Sequence, residues 1–351
     1  MGKITMAQIS VIIPCYNVAS YIDRCLTSIV SQTIGINALE IICVDDASTD
    51  DTWQQLQRWE QDYPEQILLV HCSENGNLGT ARNIGLQYAQ AKWVGFIDSD
   101  DWIEPDYFEK LLKAADQGDC DVAVCQKKRD FSDTLSFFED RKTGRESRLM
   151  AVDTVEKRKL FLYFQSAGYG APGKLIRKDF LIDNDLLFPE NVAYEDCCWG
   201  SLIHFYIRRI YVMEEYLYHY FVNNNSIVLQ KDVGYHVDYL TVQCMKWVEW
   251  ERRGFLDLFR EELEYEFLSS CYLAFMKIVF LRFTQPPYSL YLLAKEITLG
   301  HVPDYRQNQY IKEGLTEFYQ ILLDSLLLPM NKREFLQMAA YGKECMETKS
   351  V

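Results

Sequence analysis

The chain has 351 residues, 48% of them hydrophobic and 25% charged, enough to bury the core of one large domain or two smaller ones. A formal net charge of −15 at pH 7 argues against nucleic acid as a partner and gives no support to polybasic membrane attachment. The eleven cysteines contain no CxxC pair, so they read as reduced thiols of a cytoplasmic protein, not as zinc ligands or a disulfide framework. Met1 to Met6 lack the apolar core of a signal peptide. The longest apolar stretch, Leu273 to Phe283, is interrupted by Lys277 and Arg282 and is too short to span a bilayer.

Taken in chain order, the first third alternates strands and helices. Ile9 to Ile13 reads as a buried strand, and Ile22, Cys25, Leu26, Ile29 and Val30 then recur at helical spacing. Ile41 to Val44 is a second strand, followed by a helix from about Thr49 that carries Trp53, Leu56 and Trp59. Ile67 to Val70 is a third strand, Thr80 to Ala91 a third helix, and Trp93 to Ile97 a fourth strand. Tyr107, Phe108, Leu111 and Leu112 mark another helix, and Asp121 to Cys125 returns as a strand. Lys127 to Arg148 has no clear period and is expected to be a long loop, while residues 150 to 228 mix helix and strand. Beyond Lys231 the pattern is helical and aromatic, with Tyr239, Trp247, Trp250, Phe255, Phe259, Tyr265, Tyr272 and Phe275. Aromatic residues at that spacing ordinarily build a core; a groove for a sugar or lipid carrier, a dock on the inner face of the membrane and a homodimer face are the alternatives.

This β-α-β-α rhythm predicts an α/β fold with a doubly wound, mostly parallel sheet and a helical C-terminal appendage. Ligand sites in such sheets form beyond the carboxyl ends of the strands. Three polar clusters stand there: Pro14 to Asn17, Asp45-Asp46, and Asp98-Ser99-Asp100-Asp101. Three carboxylates within four residues are costly unless a cation neutralises them, and hard oxygen ligands suit Mg²⁺ or Mn²⁺, which could in turn hold a diphosphate. A solvated acidic turn that caps the next helix is the other reading. No glycine-rich turn follows the first strand and no GxxxxGK[ST] occurs, so dinucleotide-fold and P-loop chemistry are excluded. A response-regulator-type phosphoacceptor could use Asp45-Asp46 but would leave Asp98 to Asp101 unexplained.

The ordered set Val11 to Asn17, Val44 to Thr52, Gly79-Thr80-Ala81-Arg82-Asn83-Ile84-Gly85 and Asp98 to Asp101 resembles family 2 glycosyltransferases of the GT-A fold. The resemblance covers residues 8 to 125 and, more weakly, 170 to 226. It implies an inverting, metal-dependent enzyme that moves a sugar from a nucleotide sugar to a glycan or lipid-linked acceptor. The implied domains are a flexible N-terminus (1–7), a catalytic domain (8–228) with a nucleotide-sugar half (8–126) and an acceptor half (127–228), and a helical region (229–351). Under this resemblance Pro14, Tyr16 and Asn17 frame the base pocket, with Tyr16 able to stack on a uracil. Asp46 would accept from a pyrimidine N3–H. Arg82 would reach the pyrophosphate or bracket the base. Asp98, with Ser99 beside it, would touch the ribose or donor sugar, and Asp100 would ligate Mn²⁺ or Mg²⁺. Asp101 would ligate through water or cap the next helix. Ala47 stands where the family usually has glycine.

Phe188 to Trp199 resembles the family's Glu-Asp element. Inversion requires a carboxylate that takes the acceptor hydroxyl's proton as its oxygen attacks, a role that falls to Asp196, with Glu195 binding the acceptor or supporting the base. The plain alternative is an acidic helix start. Ala171 to Arg177 resembles the acceptor-side segment in which Trp-x-Lys-Leu is common; Gly173 here leaves more room. His219, in the Tyr218 to Ser226 stretch where arginine is frequent, is expected to be structural before it is a diphosphate contact. Two rival functions remain open at this stage: a non-catalytic nucleotide-sugar or glycan-binding subunit, which would not need the base, and a nucleotidyltransferase, which would carry a glycine-rich loop after strand one.

Overall fold

The computed structural model describes residues 7–131, 146–222, 229–311 and 317–348. The expected flexible N-terminus therefore lies, but for residue 7, outside the described residues, as do 132–145 of the expected long loop and the end of the Tyr218 to Ser226 stretch. The chain divides into two compact units, one of residues 1–161 and 165–223, the other of 162–164 and 224–351.

Among the described residues the first unit holds one nine-stranded sheet: β1 (Ile9–Cys15), β2 (Leu39–Asp45), β3 (Ile67–His71), β4 (Trp93–Phe96), β5 (Trp102–Ile103), β6 (Val122–Phe131), β7 (Arg148–Ala151), β8 (Lys174–Arg177) and β9 (Arg209–Val222). The order is β3-β2-β1-β4-β8-β6-β9-β5, with β7 on β9. Strands β1 to β4 run parallel, β8 is antiparallel to both β4 and β6, and β6 runs parallel to β9. Every residue of β1 is buried, as the central strand of a two-sided sheet requires. Helices α1 (Ile22–Val30), α2 (Thr52–Asp62), α3 (Asn77–Tyr88), α4 (Tyr107–Gly118), α5 (Val155–Phe164, of which the last three residues count with the second unit), α6 (Lys178–Asp183) and α7 (Glu195–Tyr206) complete the unit. Ile22, Leu26, Ile29, Phe108 and Leu111 join the strand residues in its core.

Two elements differ from the sequence reading. Helix α3 spans Asn77–Tyr88, three residues earlier at each end than the expected Thr80 to Ala91; a single leucine between Asn77 and Gly79 sets no apolar period that would mark its start. Lys127 to Phe131 is not loop: it continues β6 and pairs with Tyr218 to Val222 of β9. A strand that leaves the core loses its apolar signature, although its backbone pairing continues.

Chain order departs from spatial order between β1 and β4. β1 leads to β2 on one side, and β4 joins on the other, so a crevice opens at their carboxyl ends. The Ile12 carbonyl accepts from Ile97 N (3.1 Å), and Phe96 opposite Ile12 is the last β4 partner. Pro14, two residues on, turns its missing N–H to that same side, past the end of the pairing, where none is needed.

The second unit is helical: α8 (Asp238–Arg252), α9 (Leu256–Phe267), a π-helical turn (Leu268–Ala274), α10 (Phe275–Arg282), α11 (Tyr288–His301), α12 (Glu317–Leu327) and α13 (Lys332–Thr348). Trp250, Phe267, Tyr272, Phe275, Tyr291 and Phe335 are fully buried, so the aromatic stripe is chiefly core. A buried ion pair there, Lys246–Glu266 at 3.0 Å, is tied to Ser270 Oγ at 3.1 Å in the π-helical turn. Among the described residues no helix is long and apolar enough to cross a membrane.

Candidate active site at the carboxyl ends of the strands

The three polar clusters meet on one edge of the first unit's sheet. After β1, Tyr16 is 46% exposed, and Pro14 at the strand's end is buried. Asn17 takes left-handed backbone geometry (φ 53°), and its Oδ1 accepts from Thr49 N at 2.8 Å. Asn17 N in turn donates to Ser48 Oγ at 3.0 Å. Asn17 therefore splices the β1 and β2 loops together. After β2, Asp46 Oδ1 accepts from Gly76 N at 2.8 Å. Burial pushes the Asp46 carboxyl up, against the pull of the Gly76 and Asn77 N–H groups. Asp45 Oδ2 contacts His71 Nδ1 at 2.8 Å. Ala47 has φ 60°, which explains why glycine is the usual occupant of that turn.

The acidic loop after β4 separates its carboxylates by task. Asp98 Oδ1 accepts from Arg82 Nη2 at 2.7 Å. Ser99 is buried against the Cys15 thiol. The Asp100 carbonyl accepts from Arg24 Nη2 at 2.7 Å, and burial with Asp98 nearby pushes its carboxyl up to about 6. Asp101 departs from expectation: it is fully buried, Tyr218 Oη donates to its Oδ2 at 2.6 Å, and Phe221 N donates to its Oδ1 at 2.7 Å. Both oxygens hold β9 to the acidic loop, and α4 begins only at Tyr107, so Asp101 does not cap it. Tyr218 Oη also accepts from Asp98 N at 3.1 Å. His219 is held between Asp130 (2.7 Å) and Glu104 (2.8 Å) and stacks on Trp102. That is the structural placement.

Arg82 is neither a surface residue nor a free anion binder. Its side chain is 2% exposed; Nη2 pairs with Asp98 and Nη1 with Glu195 Oε1 at 2.5 Å. Burial opposes its charge, but Asp98 and Glu195 outweigh burial and raise its pKa above the ordinary arginine value. The rest of the Gly79 to Gly85 motif grips the same downstream segment. Asn83 Nδ2 donates to the Phe188 carbonyl (2.9 Å), and its Oδ1 accepts from Phe188 N (2.9 Å). A Cβ on Gly79 would stand 2.2 Å from the Pro189 carbonyl. Helix α3 thus fixes residues 188–195, which no local pattern in the motif reveals.

Tyr194 (φ 64°) turns the chain sharply into α7, whose first two residues are Glu195 and Asp196. Glu195 is buried on Arg82, whereas Asp196 is part-exposed and makes no hydrogen bond or ion pair to the described residues. Two adjacent carboxylates thus take different positions: one is anchored, the other is accessible.

The sequence profile of glycosyl transferase family 2 matches residues 10–184. The chain belongs to glycosyltransferase family 2. The uncharacterized glycosyltransferase YibD of Escherichia coli is 27% identical over 76% of this chain and 78% of its own length. The putative glycosyltransferase EpsH of Bacillus subtilis is 30% identical over 63% of this chain and 62% of its own. The poly(ribitol-phosphate) β-N-acetylglucosaminyltransferase TarS of Staphylococcus aureus is 28% identical over 61% of this chain but only 35% of its own. A crystal structure of S. aureus TarS residues 1–349 with UDP-GlcNAc superposes with a TM-score of 0.57 at 20% identity, covering 91% of this chain and 79% of that one. That likeness establishes the GT-A fold. Around this candidate site, Arg24, Trp102 and Lys127 escaped the sequence reading. Arg24 lies over Trp102 (3.9 Å) and reaches the acidic loop only through folding; its sole local signal is a basic residue on an otherwise amphipathic helix.

Proposed function

We propose that the chain is an inverting glycosyltransferase that moves a hexosyl or N-acetylhexosaminyl group from a UDP-sugar to a glycan or lipid-linked acceptor in cell-surface or polysaccharide synthesis. The observation that carries this reading is the split between Glu195 and Asp196. Glu195 is anchored on Arg82, and Arg82 is anchored on Asp98 of the acidic loop. Asp196 is left accessible on the first turn of the same helix. Asp196 would take the acceptor hydroxyl's proton while that oxygen attacks the anomeric carbon. Glu195 serves as its support.

On the donor side Tyr16 offers its ring to the base, Asp46 a buried acceptor to a pyrimidine N3–H, and Asp98 a carboxylate to the ribose or sugar. Relatives and structural neighbours support a nucleotide-sugar donor: their names state sugar transfer to poly(ribitol phosphate) and complexes with UDP-GlcNAc and UDP. Among the described residues no group of three or more His, Cys, Asp or Glu side chains is gathered for a metal. One carboxylate plus diphosphate oxygens and water is nevertheless how Mg²⁺ is ordinarily held. Asp100, crowded by Asp98 and Asp101, fits a cation at that position, whereas Asp101 has both oxygens engaged. Mn²⁺ or Mg²⁺ there would neutralise charge on the departing diphosphate. A mannosyltransferase neighbour solved with GDP-Man and Mn²⁺ is consistent with such use.

The test is Asp196→Asn. It should keep UDP affinity within about twofold and lose transfer by a factor of roughly 10² or more, the scale of general-base catalysis. Transfer at the wild-type rate in that variant would remove Asp196 from the mechanism.

A further inference from the structure

We infer that Lys127 and Lys174 form a site for an anionic group carried by the acceptor beside the hydroxyl that is glycosylated; this rests on the reading of Asp196 as the base. Three separate features build the site.

The first is the backbone of β6. Its register against β9 shifts between Val124 and Gln126 and again between Gln126 and Lys127. Such irregularities re-aim a side chain. Lys127 emerges from this one with Nζ 5.8 Å from the ring centre of Tyr218, the tyrosine that holds the acidic loop.

The second is room. A Cβ on Gly173 would stand 2.9 Å from Lys127 Cε, and one on Gly170 would stand 3.1 Å from Lys127 Nζ. The two bare glycines make the trough in which the lysine lies. The same Cβ position on Gly170 is 3.6 Å from Asp196 Oδ2, so the ammonium and the accessible carboxylate flank one point.

The third is charge. Lys174 is 1% exposed, and its Nζ donates to the Gly170 carbonyl. Two amines therefore converge on Gly170. Among the described residues no carboxylate stands within ion-pair distance of either, although the chain carries 51 acidic residues. Burial depresses both amines and outweighs the pull of Asp98, Asp196 and Asp101 on Lys127 and of Asp196 on Lys174, while Lys127 adds to the effect on Lys174. An anion between them would offset that cost. Lysine binds phosphate or carboxylate as a point charge. Because Asp196 must lie beside the attacking hydroxyl, a group held one residue's width away belongs to the acceptor.

The experiment uses the full chain loaded with UDP and Mn²⁺, titrated calorimetrically with glycerol 1-phosphate, glucuronate and, as neutral probes, glycerol and glucose. At least one anionic probe should bind about tenfold or more tighter than its neutral counterpart, the scale of one charge-assisted contact. Lys127→Gln should abolish that preference, Lys127→Arg should retain it, and both should bind UDP as the wild type does. Equal binding of charged and neutral probes, or an unchanged preference in Lys127→Gln, overturns the proposal. So does a loss of UDP affinity confined to Lys127→Gln with an unaltered thermal midpoint, since the lysine would then serve the donor. Failure of the wild-type chain to bind UDP would instead sink the donor-site reading beneath it.

Discussion

Arg82 carries more of this site than any other single side chain. It is the cation shared by Asp98, from the loop after β4, and Glu195, from the start of α7, and it is almost wholly buried. Removing one partner of a buried pair leaves the others charged and unsolvated, so Arg82→Ala should destabilise the protein by about 3–5 kcal/mol. Chemical denaturation would measure it; a cost below about 1 kcal/mol, the range of surface pairs, would mean that solvent replaces the guanidinium. Glu195 adds a pH dependence. Burial pushes its carboxyl up to about 7, Arg82 opposes the shift, and Asp196 reinforces it. A carboxyl raised in the folded state stabilises most below its ordinary value of 4.5 and loses that contribution as pH rises through about 7. The thermal midpoint of the wild type should therefore fall over that window more than that of Glu195→Gln. Parallel profiles would show that Glu195 ionises as an ordinary glutamate.

At the scale of elements, helix α3 and the segment before α7 act as one piece. Gly79 permits their contact, and Asn83 makes two hydrogen bonds across it. Gly79→Ala would press a methyl group into the Pro189 carbonyl, where backbone must move. A loss of about 1–3 kcal/mol is expected, the usual cost of overpacking, together with a lower rate of transfer because Glu195 and Asp196 follow that backbone. Stability and kcat both unchanged would show that the two elements slide freely. Strand β6 teaches the complementary lesson. Its outer half, Gln126 to Phe131, is polar because it lies beyond the core, yet its pairing with β9 brings Asp130 to His219 and Lys127 to Tyr218.

At the scale of the whole molecule, the residues assigned to donor, base and metal all belong to the first unit, while the second is a helical body with its own aromatic core. A nucleotide that binds only the folded first unit should stabilise it by mass action. UDP at about a hundred times its dissociation constant adds roughly 2.7 kcal/mol, a rise of several degrees in the thermal midpoint. That rise should need Mn²⁺ or Mg²⁺ and vanish with EDTA. An equal shift in EDTA would remove the cation from the donor site, and no shift with UDP would remove the donor assignment.

The apolar runs of β1, β2 and β4, with polar clusters directly behind them, determined the sheet and the edge on which the site forms. Periodicity and strand-end chemistry are local properties, and a sequence states them outright. The motif around Gly79 to Gly85 was legible as important but not as a clamp, because its partners at residues 188–195 lie more than a hundred positions away. The same holds for Asp101, whose oxygens are claimed by Tyr218 and Phe221, and for Lys127, hidden in a stretch without period. Which carboxylate is buried on a cation and which stays accessible depends on packing between distant segments. That distinction, between Glu195 and Asp196 and between Asp100 and Asp101, only the tertiary structure decided.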